Sequence, residues 1–148
     1  MRLSTEEARE RFATRRVARL ATAAADGTPH LVPVTFALHG DTLVFAIDHK
    51  PKSTTDLRRL RNIGENPAVT FLVDHYEEDW DRLWWARADG VARVLTGVHE
   101  RAEPVRWLRA KYPQYAERPP AHAVVTTQVH TWRGWTSRSQ PKPDPTSP

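Results

Sequence analysis

Short apolar runs joined by tight turns constrain this chain more than any other feature. Asp26-Gly27 is a hairpin dipeptide between two such runs, residues 17–23 and 30–38. His39-Gly40-Asp41 is a second tight turn, leading into residues 42–48. Three consecutive strands so connected can only form an antiparallel meander, because a parallel pair needs a long crossover between its strands. Further strands are expected at 68–74 and 123–132, and at 83–95 as one bent strand or two meeting at Asp89-Gly90. No alternation of strand and helix appears, which excludes a doubly wound parallel sheet. The expected class is mainly β with peripheral α: an antiparallel barrel or half-barrel of six or seven strands with about three short helices.

The helices carry their own signals. Ser4 with Glu7 three residues on is a capping-box pattern that opens a helix over 5–13. Ser53 with Asp56 is a second, opening a helix that stops near Gly64. A third is expected between 98 and 111; Pro104 places its ordered start near Glu103, and Tyr112-Pro113 ends it. Residues 139–148 hold four of the twelve prolines and almost nothing apolar. One domain over 1–137 and a flexible Pro-rich tail over 138–148 are therefore expected.

Composition narrows the function classes. With 148 residues and 39% hydrophobic content the chain can bury a core of ordinary size. It has no cysteine, which removes disulfides, thiolate metal sites and cysteine nucleophiles and suits a reducing compartment. No apolar run reaches the roughly 18 residues that span a bilayer, and the N-terminus has no secretory apolar core. The expectation is a cytoplasmic protein without a membrane span. Twenty-two Lys and Arg face eighteen Asp and Glu, for a net charge of +4. Such an excess suits an anionic partner, and it equally suits a basic proteome with no partner in view.

The strongest local signal lies at residues 48–62. The basic loop His49-Lys50-Pro51-Lys52 runs into a helix start made of Ser53, Thr54 and Thr55. Free N–H groups, the positive end of the helix dipole, hydroxyls and two ammonium groups converge there, which suits a phosphate. At about 100° per residue Thr54, Arg58 and Arg61 fall on one face beside Leu57, Leu60 and Ile63, and Arg59 falls away from them. A capped, solvated basic helix has the same residues. Pro33, inside an apolar run, implies an edge, a bend or a bulge. A bulge would free backbone groups of Val34 and Thr35 to bond a flat ligand; a barrel corner without a ligand would look alike. Trp80, Trp84 and Trp85 cluster just before Arg87, and tryptophan beside arginine can stack on an aromatic ligand or fill an interface. Trp84 and Trp85 are adjacent, so only one can face a given pocket.

Other chemistries find little support. The seven histidines show no H-x-x-x-H or H-x-H spacing, so no metal site is expected. There is no G-x-S-x-G elbow and no phosphate-binding G-x-x-x-x-G-K-S/T. No catalytic residue can be assigned, and an enzyme built this way would draw its chemistry from an organic cofactor. The six tryptophans are split among several segments rather than set along one basic groove, so a nucleic-acid partner is not expected.

Three segments together resemble a known family. ATAAADGTPHLVPV (21–34), FAIDHKPKS (45–53) and LRNIGENPAV (60–69) are similar to the pyridoxamine-phosphate-oxidase-like split β-barrel flavoproteins. LVDHYEEDW (72–80) with LWWARADG (83–90) resembles the actinobacterial subgroup that uses the deazaflavin coenzyme F420. The likeness covers about residues 5–136. It implies an FMN-binding-like split barrel and a homodimer with a cofactor in each of two clefts at the subunit interface. The cofactor would be F420, or alternatively FMN, acting on a small-molecule substrate. By position Lys52 matches the family's phosphate-binding lysine, with Lys50 and Ser53 beside it, and Arg58 and Arg61 would meet the phosphate or an acidic tail. Pro33, Val34 and Thr35 match the segment beside the tricyclic ring. Trp80, Trp84 and Arg87 would come from the second subunit. The Arg-containing C-terminal segment with which true pyridoxamine phosphate oxidases hold substrate has no counterpart, so that vitamin-synthesis reaction is not expected.

Overall fold

The computed structural model describes residues 1–47 and 58–137. Its elements are α1 (Thr5–Ala13), β1 (Val17–Ala23), β2 (Pro29–Thr35), β3 (Ala37–His39), β4 (Thr42–Ala46), α2 (Arg58–Glu65), β5 (Ala68–His75), β6 (Trp84–Leu95), α3 (Val98–Lys111), α4 (Pro113–Glu117) and β7 (Val124–Thr136). A short 3-10 turn, Trp80–Arg82, lies between β5 and β6. The strands form one antiparallel sheet in the order β2-β1-β5-β6-β7-β4-β3.

That order forces the sheet to curl. β2 and β3 are its two ends, yet only Phe36 separates them in sequence. In a flat sheet six strand spacings would set them about 29 Å apart, whereas two Cα steps reach about 7 Å. The ends therefore meet, β2 touches β4, and the result is a half-open barrel. The expected strand over 30–38 is thus two strands on opposite edges. Phe36 is fully buried at the crossover, and Tyr112 supplies its backbone partners: the Phe36 N–H donates to Tyr112 Oη at 3.1 Å, and the hydroxyl lies 2.9 Å from the Phe36 carbonyl.

Inward-facing side chains fill the barrel. Phe12 of α1 meets Phe36 and Trp132 edge-on at centroid distances of 5.0 and 5.4 Å, and Phe45 meets Phe71 at 6.1 Å. α1 starts as predicted, with Ser4 Oγ accepting the Glu7 N–H at 3.1 Å, and buries Ala8 and Phe12 against the sheet. Gly27 and Gly40 hold φ of 87° and 59°, which their tight turns require and other residues rarely adopt.

β6 is a single strand, and the irregularity near Asp89-Gly90 lies across it in β7. Asp89 pairs with Thr131 and Gly90 with Val129, so His130 has no partner and forms a bulge. Before the bulge Val125, Thr127 and Val129 face inward; after it Trp132, Gly134 and Thr136 do.

The helical region after β6 differs from expectation in two ways. α3 begins at Val98, not near Glu103, because the Glu100 carboxylate accepts the Thr96 and Gly97 N–H groups at 3.0 Å each and caps the first turn. These bonds hold the Glu100 carboxyl below the usual carboxylate range, and the helix accommodates Pro104 in its interior. Pro113 ends α3 and also opens α4, which makes four helices among the described residues.

Lys111, at the end of α3, sits with its ammonium 3.7 Å over the Phe36 ring and 2.6 Å from the Arg15 carbonyl. Burial, helped by nearby Arg16, pushes its pKa down from 10.5 to about 8. Below pH 8 both folded and unfolded chains hold the proton, and the full desolvation penalty stands. Between about 8 and 10.5 the unfolded chain binds more protons, so stability rises with pH. In thermal melts the wild type should therefore gain on Lys111→Met between pH 7 and pH 10. A difference that stays constant, or moves the other way, contradicts this.

Candidate functional site

α2 closes one end of the barrel. Asn62 is buried and donates from Nδ2 to Thr22 Oγ1 at 3.0 Å, and Ile63 packs into the core. With this anchor Arg58 and Arg61 are exposed and Arg59 is half-buried. Arg59 is therefore not on a solvated opposite face: the buried set runs through Asn62 and Ile63, and Arg59 lies three and four residues before them. Arg58 has no carboxylate partner among the described residues. Lys50, Lys52, Ser53 and Thr54 lie outside the described residues, as does the tail from 138.

The second part of the predicted site lies on the outer face of the sheet. Pro33 pairs with Arg19 in an unbroken β1–β2 register, so it occupies an edge strand and not a bulge. The far side of β2 pairs with no strand among the described residues, which leaves backbone N–H and C=O groups open along that edge. Val34 points into the core and can offer a ligand only its backbone, while Thr35 Oγ1 lies 3.1 Å from Tyr115 Oη. Register carries a row across four more strands: Pro33, Arg19, Leu72, Arg87, Arg133. Pro33 and Arg87 thus share one face, three strand spacings or about 14 Å apart.

Arg87 is not a free cation. Its Nε donates to both Asp89 carboxylate oxygens at 3.1 and 3.3 Å, and Thr70 Oγ1 donates to the same carboxylate at 2.6 Å. Its guanidinium carbon is 5.8 Å from the Trp85 ring centroid. Arg19, Leu72, Thr70 and Asp89 were absent from the expected site. Only Asp89 carried a sequence signal, two residues from Arg87 on one strand; Arg19, Leu72 and Thr70 are brought there by strand register.

The tryptophans separate. Trp80 stands 76% exposed on the 3-10 turn. Trp84 packs against the core, with the Arg11 and Arg15 guanidinium carbons 5.4 and 4.7 Å from its ring centroid. Trp85 faces outward with Arg87, so the adjacent pair divides between faces as expected. The structure brings Pro33 and Arg87 to one face of the subunit and sends Trp84 to the other. No three His, Asp or Glu side chains converge as a metal site among the described residues. No helix there is long and apolar enough to cross a membrane.

Comparison with known proteins agrees with this architecture. Residues 4–136 match the family model described as pyridoxamine 5'-phosphate oxidase. No curated protein matches the chain. Among solved structures the chain is similar to a FAD-binding protein from Mesorhizobium loti, at 19% identity, covering 90% of this chain and 95% of that one, with TM-score 0.71. It is also similar to a FAD-binding protein from Mycobacterium smegmatis, at 21% identity, 91% and 96% coverage and TM-score 0.62. The heme storage protein of Vibrio cholerae is 17% identical, with 87% and 92% coverage and TM-score 0.65. At these identities the likeness establishes a shared fold.

Proposed function

The chain belongs to the pyridoxamine 5'-phosphate oxidase family, and from that premise we propose that it is a coenzyme F420-dependent oxidoreductase. It acts as a homodimer with a cofactor site at each subunit interface and reduces a small organic acceptor. The observation that carries the reading is α2: an anchored helix, entered from a basic segment, with Arg58 and Arg61 turned outward. Cationic side chains at a helix start fit the phosphate and acidic tail of such a cofactor. The unpaired edge of β2 fits a flat ring that needs backbone partners. Leu31, Leu72 and Val17 are exposed on the same outer face, and an apolar sheet face of this kind suits burial against a second copy.

When bound, the deazaflavin supplies hydride chemistry. The protein's own part is to hold the anionic end with Lys50, Lys52, Ser53, Thr54, Arg58 and Arg61. Pro33, Val34 and Thr35 orient one side of the ring, and the other side is left to substrate. Trp80 and Arg87 reach a cofactor held by the other subunit, while Trp84, packed against the core of its own subunit, does not.

Equilibrium fluorescence titration with F420 and with FMN tests the choice. Tighter F420 binding is expected, and tighter FMN binding makes the protein an FMN-dependent enzyme on the same scaffold. Lys52→Ala should raise the F420 dissociation constant by about ten- to a hundredfold, the loss of one charge-assisted contact to a phosphate. Its melting temperature without cofactor should stay within a few degrees of wild type. Arg106→Ala, exposed on α3, is the control and should bind normally. Equal binding by both variants removes the phosphate from this helix. Anaerobic mixing of reduced cofactor with quinones, enones and nitroaromatics separates an enzyme from a cofactor carrier, which would leave it reduced.

A further inference from the structure

A groove of about 540 Å³ opens on the sheet where the start of β6, the end of β7 and the N-terminal segment meet. Trp85 and Trp135, which line it, are direct cross-strand partners, and the buried Trp132 also borders it. Arg2 bridges to Trp135 as a short extra strand, held by the Leu3 N–H to Gly134 carbonyl bond at 2.9 Å. Arg133 also lines the groove.

Among the described residues no Asp or Glu lines this groove. Neither Arg2 nor Arg133 has a carboxylate within ion-pair distance among the described residues. Half-buried indoles present flat apolar surface, and a guanidinium offers a planar fork that matches a carboxylate. The volume lies in the range of small-molecule sites, about 300–1,000 Å³.

The groove is also remote from α2 of its own subunit. α2 ends at Glu65, and two residues on the Pro67 carbonyl accepts the Ala92 N–H at 2.8 Å. The chain leaves β4 at Ile47, bonded to Ala123 beside Leu95. Both points sit at the far end of β6, and seven residues from Trp85 to Ala92 span roughly 23 Å.

We propose that the Arg2–Trp85–Arg133–Trp135 groove is a second ligand site, distinct from the cofactor cleft beside α2 and β2 of the same subunit, that takes a planar aromatic carboxylate. The ring lies against the indoles, and the carboxylate is held by Arg2 and Arg133.

Calorimetric titration of the full chain with 2-naphthoate tests this, with 2-naphthalenemethanol as the uncharged analogue. Naphthoate should bind saturably and the alcohol at least about tenfold more weakly. Arg133→Gln and Arg2→Gln should each weaken naphthoate by about tenfold and leave the alcohol unchanged. Saturating F420 or FMN should not displace naphthoate. No saturable binding, equal binding of acid and alcohol, or arginine variants that bind like wild type each overturns the site. Displacement by cofactor, or an equal loss of cofactor affinity in Arg133→Gln, makes the groove part of the cofactor site and overturns its independence. Should the protein bind neither cofactor, the naphthoate titration still stands by itself.

Discussion

Gly90→Ala lowers stability by about 3 kcal/mol or more, seen as a fall of about 10 °C in melting temperature. A Cβ at Gly90 would run into the Gln128 carbonyl oxygen of β7 and come within 2.8 Å of Thr127 Cγ2. The oxygen belongs to the backbone of β7, so no rotamer change relieves the clash. Either β7 moves and its ladder with β6 stretches, or the methyl is overpacked into a core with no room. Gly64→Ala in α2 is the control, because nothing lies within 4 Å of the added methyl. There the exchange should be neutral or stabilising by up to about 1 kcal/mol. If Gly90→Ala melts with the wild type, the close approach of β7 to β6 is wrong.

Local signals made most of the fold legible. Asp26-Gly27 and Gly40 mark turns that need positive φ, and Ser4 with Glu7 marks the helix that α1 adopts. What misled was a local signal opposed by another: Pro104 outweighed the Glu100 carboxylate that caps α3 four residues earlier. The bulge lies beyond local reading altogether. In sequence His130 sits inside an unbroken β-type run, and only the pairing of β7 with β6 leaves it without a partner.

The site was legible residue by residue but not as pairs. Arg87 and Asp89, two apart on one strand, form an ion pair that Thr70 joins from β5. In sequence Asp89-Gly90 reads as a point where two strands could meet, which hides the carboxylate as a partner for Arg87. Arg59 was misplaced because helical phase fixes relative angles and not which angle faces the barrel. The Asn62 bond to Thr22, forty residues away, sets that.

The same dependence on distant partners makes Tyr112→Phe the second large effect, at about 2–4 kcal/mol. Phe36 links strands at opposite ends of the sheet order, so neither ladder takes its backbone groups, and burial denies them water. The Tyr112 hydroxyl accepts the Phe36 N–H at 3.1 Å and shares its proton between the Arg16 and Phe36 carbonyls at 2.6 and 2.9 Å. Burial raises the phenol's pKa, which keeps that proton in place at neutral pH. Phenylalanine fills nearly the same volume, so the loss isolates the hydroxyl: one buried donor and two carbonyls lose their shared partner at once. Tyr115→Phe is the comparison. Its hydroxyl meets the half-buried Thr35 side chain, which water can serve instead, and it should cost about 1 kcal/mol or less. Hydrogen exchange distinguishes a local from a general effect. The Phe36 amide should lose its protection in Tyr112→Phe far more than the amides of β5 and β6 do. Unchanged protection at Phe36 would mean that the crossover is held by something other than this hydroxyl.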